Sequence, residues 1–208
     1  MPRISTVKKR PNPVFQIVME TDAVIRGELY PLSAPQTVGN FIALSNGGFY
    51  DGLTFHRCIR DFIIQGGASA NGELPYCITG EFEFNRFKPN RLAHEYGSLC
   101  MARAGHYNSA SSQFYIVTTR DSRELNCLNG AYAVFGKVLE GMKIVEAISA
   151  VETGAEHMPL HPQVIRRIRV EAFGQDYPFQ KLPPPATDVN LPKVKHRSRT
   201  KDSNDSTK

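Results

Sequence analysis

Of the four cysteines, Cys58, Cys77, Cys100 and Cys127, no two form a C-x-x-C pair, and none stands at zinc-finger spacing from a pair of histidines. A disulfide framework or a structural zinc site therefore has no support in the spacing. Three of the four lie in apolar, strand-like surroundings, where a free cysteine acts as a small hydrophobe. There is no run of about 18 apolar residues to span a membrane. The basic N-terminus is not followed by the apolar stretch of a secretory signal, so the expected compartment is the reducing cytoplasm. The central region also lacks excess positive charge. Residues 1–13 carry Arg3, Lys8, Lys9 and Arg10 and no acid, and residues 174–208 carry seven Lys or Arg against four Asp. Out of a formal +5, these ends hold +4 and +3, which leaves −2 for residues 14–173. The pI of about 9.1 thus belongs to the ends, and the central part has no basic face to follow a phosphate backbone. Nucleic acid is not an expected partner, except weakly through the basic run of the C-terminal tail.

Several catalytic signatures are missing as well. The chain has no G-x-S-x-G elbow, no phosphate-binding P-loop and no G-x-G-x-x-G following a strand. Ser111 and Ser112 lie in a polar loop without an evident base. His157 and His161 have the four-residue spacing of helical metal ligands, but Pro159 and Pro162 argue against a helix there, so no metal is expected. Glu81 and Glu83 could imitate a catalytic carboxylate pair; they read better as the polar side of an edge segment.

What is present is a globular chain. With 41% hydrophobic and 10% aromatic residues in 208, it can bury one substantial core with something to spare. Residues 1–13 form a basic arm with three prolines. Val14–Glu20 and Ala23–Leu29 alternate as two strands joined at Thr21-Asp22. Pro35 opens a helix with Val38, Phe41, Ile42 and Ser45 on one face, closed by Gly47-Gly48. A long irregular region follows from Ala68 to Tyr96. Strands are expected at Ser98–Met101, Gln113–Val117, Ala133–Val138 and Val164–Phe173, with a second helix over Met142–Ala150. On the strand starting at Gln113, alternation puts Gln113, Tyr115 and Val117 on one side and Phe114 and Ile116 on the other. From Gly174 the composition becomes proline-rich and basic, with too little apolar surface to offset ordering, and predicts a disordered tail over 174–208. Many short strands with two separate helices indicate an antiparallel barrel or sandwich.

The organising stretch is Phe55-His56-Arg57-Cys58-Ile59-Arg60-Asp61-Phe62-Ile63-Ile64-Gln65-Gly66-Gly67, two short strands around the polar break Arg60-Asp61. Simple alternation puts Phe55 and Arg57 on one face, and His56 and Cys58 on the other. Arg57 then stands among apolar neighbours, where a guanidinium that cannot lose its proton needs something to accept its hydrogen bonds. The bare backbone of Gly66-Gly67 permits close approach. A groove of apolar side chains, amides and one arginine suits chemistry without a covalent intermediate.

These motifs come in a specific order: Phe55-His56-Arg57; Phe62-Ile63-Ile64-Gln65-Gly66-Gly67; Met101-Ala102-Arg103-Ala104; Ser112-Gln113-Phe114-Tyr115-Ile116; Val134-Phe135-Gly136-Lys137-Val138. In that order they resemble the cyclophilins of bacterial type, over about Val14 to Phe173. The resemblance implies a mainly β fold, a closed eight-stranded antiparallel barrel capped by two α-helices. It also implies a cofactor-free, monomeric peptidyl-prolyl cis-trans isomerase that acts on proline-containing peptides and assists folding proteins. It makes Arg57 the catalytic arginine. Phe62, Ile63, Tyr115, Leu128 and Tyr132 would line the proline pocket, and Gln65, Ala102, Arg103 and Gln113 would hold the substrate backbone, with His56 beside them. Against the better-known eukaryotic pattern, Ile63 replaces methionine, Tyr115 phenylalanine and Tyr132 histidine. Ser111 replaces a glycine and narrows what can precede proline. Cys127 stands where a tryptophan binds cyclosporin, which counts against binding of that drug.

Overall fold

A computed structural model describes residues 11–69 and 72–186. Strand β1 (Val14–Met19) turns at Thr21-Asp22 into β2 (Val24–Leu29), with Asp22 in the left-handed conformation at φ 66°. Helix α1 (Pro35–Asn46) starts on Pro35, whose fixed φ suits a first turn. There follow β3 (Thr54–Ile59), β4 (Ile63–Gly66), β5 (Ser98–Met101) and β6 (Phe114–Val117). A single-turn helix α2 (Ser122–Leu125), β7 (Val134–Glu140), α3 (Met142–Ser149) and β8 (Gln163–Glu171) complete the order. The eight strands close into an antiparallel barrel in the order β1, β2, β7, β5, β6, β4, β3, β8 and back to β1. Closure leaves no free sheet edge. No helix among the described residues is long and apolar enough to cross a membrane.

The barrel encloses an aromatic core. Phe41 of α1 meets the rings of Phe15, Tyr50, Phe114 and Phe135 at centroid distances of 5.2 to 6.4 Å. All five side chains are fully buried, and each contributes about 1.5–3 kcal/mol by burial alone. Val145 and Ile148 of α3 join the same cluster.

Four features differ from the sequence expectations. First, β3 carries a β-bulge: Phe55 pairs with Gly66 but Arg57 pairs with Gln65, so one extra residue is inserted between them. Phe55 and Cys58 therefore both enter the barrel core, and Arg57 faces out beside Gln65 rather than sharing a face with Phe55. Second, Glu81 is not the polar side of an edge. It is fully buried, and its two carboxylate oxygens accept the free amides of Gln36 and Thr37 at 2.8 Å each, capping the positive end of α1. Burial pushes its pKa up against those two bonds. Third, the segment after Thr118 holds α2, whose N-cap Asp121 accepts the amide of Arg123 at 2.9 Å.

Fourth, residues 174–186 do not trail away from the barrel. Tyr177 and Phe179 pack on the core beside α1. Leu182 exchanges two backbone hydrogen bonds of 2.8 Å with Cys77, and the Gln180 amide donates to Gln36 Oε1. Gly39 admits this strap onto the helix, since a Cβ there would stand 2.5 Å from the Tyr177 carbonyl oxygen. Two aromatic side chains supply apolar surface that the proline-rich composition conceals. The expectations for residues 1–10 and 187–208 lie outside the described residues.

Candidate active site

The bulge that turns Arg57 outward aims it at a second hydrophobic cluster on the outside of the barrel. Alternate residues of the same strands build it: Ile63 from β4, Cys100 from β5, Tyr115 and Val117 from β6 and Val134 from β7, with Leu125 of α2. Over this floor opens a hollow of about 300 Å³. Its walls include Arg57, Phe62, Ile63, Gln65, Ala102, Arg103, Tyr115, Leu128 and Tyr132. Nine of the eleven sequence-predicted site residues therefore meet at one place. Cys127 and Ala131 complete the lining.

The two remaining residues, His56 and Gln113, adjoin this lining through Gln65. Gln113 Oε1 accepts a hydrogen bond from Gln65 Nε2 at 2.9 Å, and Arg57 Nη1 reaches Gln65 Oε1 at 3.5 Å. A chain of amides thus orients the guanidinium. None of the ion pairs among the described residues involves Arg57, so its charge is directed at the hollow without a carboxylate partner. His56 lies beside Gln113; burial lowers its pKa, and its buried Nδ1 has no hydrogen-bond partner. Gly67 anchors the end of β4: at φ 84° it brings the chain so close to Ser112 that a Cβ would sit 2.6 Å from the Ser112 carbonyl oxygen. Ser112 itself donates its hydroxyl to Gly67 O at 2.8 Å, a structural bond rather than a nucleophile's setting.

Arg103 is held differently. Its Nε donates to Ala131 O at 3.0 Å and its Nη1 to Ala104 O at 2.9 Å, while the guanidinium lies 4.7 to 5.2 Å from the ring centres of Tyr132, Tyr107 and Phe82. That cage makes it a fixed wall. Behind Tyr115 is a residue that sequence reasoning missed. His94 is buried, its Nε2 is 2.9 Å from the Tyr115 hydroxyl, and its Nδ1 is 3.0 Å from Asn129 Oδ1. The Asn129 oxygen also accepts the His94 amide at 2.7 Å. One imidazole therefore ties the floor of the hollow to the turn that carries Leu128, and its burial drives the pKa down to about 4. Only the coincidence of a tyrosine at 115 with a distant histidine could have signalled it.

His157 and His161 are both exposed, and no group of three His, Cys, Asp or Glu able to hold a metal occurs among the described residues.

Comparison with known proteins bears on the family and the fold. The family model described as cyclophilin type peptidyl-prolyl cis-trans isomerase/CLD matches residues 15–170. Peptidyl-prolyl cis-trans isomerase B of Bacillus subtilis (strain 168) is 40% identical over 157 residues, covering 74% of this chain and 95% of that protein. A putative peptidyl-prolyl cis-trans isomerase of Staphylococcus haemolyticus is 37% identical, covering 69% and 84%. Among solved structures, the cyclophilin type isomerase of Cryptosporidium parvum, crystallised in the presence of the dipeptide Ala-Pro, superposes with a TM-score of 0.65 at 28% identity. That superposition covers 76% of this chain and 99% of the other. With the closed eight-stranded barrel, the family-model match over residues 15–170 and the relatives in agreement, this chain belongs to the cyclophilin-type peptidyl-prolyl cis-trans isomerases.

Proposed function

We propose that the 300 Å³ hollow receives the pyrrolidine ring of an X-Pro segment, in a peptide or a folding protein, and that Arg57 speeds rotation about the prolyl bond without a covalent intermediate. Rotation about a peptide bond faces about 18–20 kcal/mol because of resonance. At X-Pro the isomers differ by only about 0.5–1 kcal/mol yet exchange over tens to hundreds of seconds. The barrier is therefore what catalysis must lower. In the twisted transition state the prolyl nitrogen pyramidalises and regains a lone pair, to which Arg57 donates a hydrogen bond that the planar ground state hardly accepts. One preorganised donor contributes about 3–4 kcal/mol, or roughly two to three decades in rate.

Phe62, Ile63, Tyr115, Leu128 and Tyr132 supply the apolar wall, which disfavours the more dipolar planar amide. Gln65, Ala102, Arg103 and Gln113 hold the substrate backbone, with His56 beside them. The observation that carries the reading is a guanidinium on the wall of an apolar hollow, oriented by Gln65 and free of any carboxylate partner among the described residues. Cys127 brings no indole N–H to this wall, and its Sγ is engaged with Glu124 O at 3.3 Å, which supports weak cyclosporin binding. Four free thiols support a reducing compartment such as the cytoplasm.

Exchange-rate NMR on an Ala-Pro peptide tests the assignment. The expected result is enhanced exchange with the native chain and near-complete loss in a folded Arg57→Ala variant. Full activity in the variant removes Arg57 from its role, and peptide binding without faster exchange by the native chain makes the hollow a holding site only.

A further inference from the structure

A larger hollow, of about 840 Å³, adjoins the first. Tyr132 lines both, and Phe82 lines the larger one. The Arg103 guanidinium, over both of those rings at 4.7 and 5.2 Å, braces the partition. Phe82, Phe87 and Leu92 give the second hollow apolar surface, and Arg86, Lys88 and Arg91 stand exposed around it against a single carboxylate, Glu83. Elsewhere on the barrel, Arg26, Arg123, Arg166 and Arg169 each meet a carboxylate. No ion pair among the described residues involves Arg86, Lys88 or Arg91. Arg86 also occupies a left-handed backbone position, φ 60°, with its amide bonded to Glu83 O at 2.7 Å. That conformation favours glycine or asparagine, so an arginine holds it at some cost.

We propose that this second hollow receives acidic residues of the same polypeptide whose prolyl bond occupies the first, making the protein selective for prolines with acidic and apolar neighbours. The inference rests on the isomerase reading of the first hollow. Two features favour this occupant over others: the excess of unpaired cations at the rim and the wall shared with the substrate site. An extended chain advances about 3.3–3.6 Å per residue, so side chains within about three positions of the proline reach past Tyr132 into the second hollow.

The test compares three peptides with a central Ala-Pro: one flanked by Gly and Ser only, one with Asp-Phe-Glu before the dipeptide and one with Asp-Phe-Glu after it. NMR titration gives affinity and exchange spectroscopy gives turnover, each with the native chain and with R86E/K88E/R91E. One of the acidic peptides is expected to bind about tenfold more tightly than the neutral one, as a few exposed ion pairs allow. Charge reversal and about 0.5 M salt should both abolish that gain, while the neutral peptide binds and turns over as before. Equal affinity for all three peptides overturns the inference, as does a gain that survives charge reversal. Failure of the native chain to accelerate the neutral peptide overturns the isomerase reading instead, because the titration reads the second hollow independently of turnover.

Discussion

Strand β6 sends Phe114 and Ile116 into the barrel and Tyr115 and Val117 to its outside, and the two sets meet opposite fates. Inside, rings from α1 and several strands interlock around Phe41, which is fully buried. Outside, a smaller cluster forms a floor and stops short of filling the space above it, leaving room for a ring that is not the protein's own. The same backbone thus builds a sealed core and an open hollow, and the difference lies in what covers each face. The inner face is closed by the barrel and its helix. The outer one is roofed only in part by the turn around Leu128 and by the caged Arg103.

If that division is sound, substitutions on the two faces should separate stability from turnover. The largest effect is expected at Phe41→Ala. Removing the ring at the centre of the core should cost about 3–5 kcal/mol of unfolding free energy in urea, with the activity of the molecules that remain folded unchanged. Arg57→Ala should do the converse, lowering kcat/KM by roughly two to three decades with the urea midpoint unmoved. A large fall in stability for this variant would erase the distinction between the faces.

His94 lies between the two regions, and acid should expose it. Its pKa is about 4 in the folded chain, below the 6.5 of a free imidazole, so the unfolded chain takes up the proton first as pH falls. The stability it lends is complete above pH 6.5 and fades between 6.5 and about 4. The loss is about 3 kcal/mol, since each tenfold difference in proton affinity between the folded and unfolded chain is worth about 1.36 kcal/mol. Urea unfolding across that window should show a slope that a His94→Gln variant lacks. The smallest change is expected at the rim. Cys127→Trp should tighten cyclosporin binding by about tenfold through a restored donor and aromatic surface, as read by calorimetry, and leave stability alone.

Much of this was legible in the chain itself. The alternation of Gln113-Phe114-Tyr115-Ile116-Val117 assigned both faces of β6, and the turn at Thr21-Asp22 and the helix beginning at Pro35 fell where local chemistry put them. The ordered motifs from Phe55 to Val138 were enough to name the fold and to gather nine residues of the hollow. Alternation failed at Phe55 and Arg57, because a bulge depends on the register of the partner strand β4 and leaves no mark on the strand that carries it. Glu81 misled for a related reason, since the amides it caps lie about 45 residues away.

What the sequence determined by itself is therefore the local part: which segments extend or coil, which thiols stay unpaired, and which family the motifs belong to. Only the tertiary structure decided that Arg57 points out of the barrel, that Tyr177 and Phe179 strap the segment after β8 onto α1, and that three cations without an ion-pair partner among the described residues gather beside the Arg57 hollow. The physical reason is range. Propensity and periodicity act over a few residues, whereas register, capping and charge clustering are set by groups that meet only after the barrel has closed.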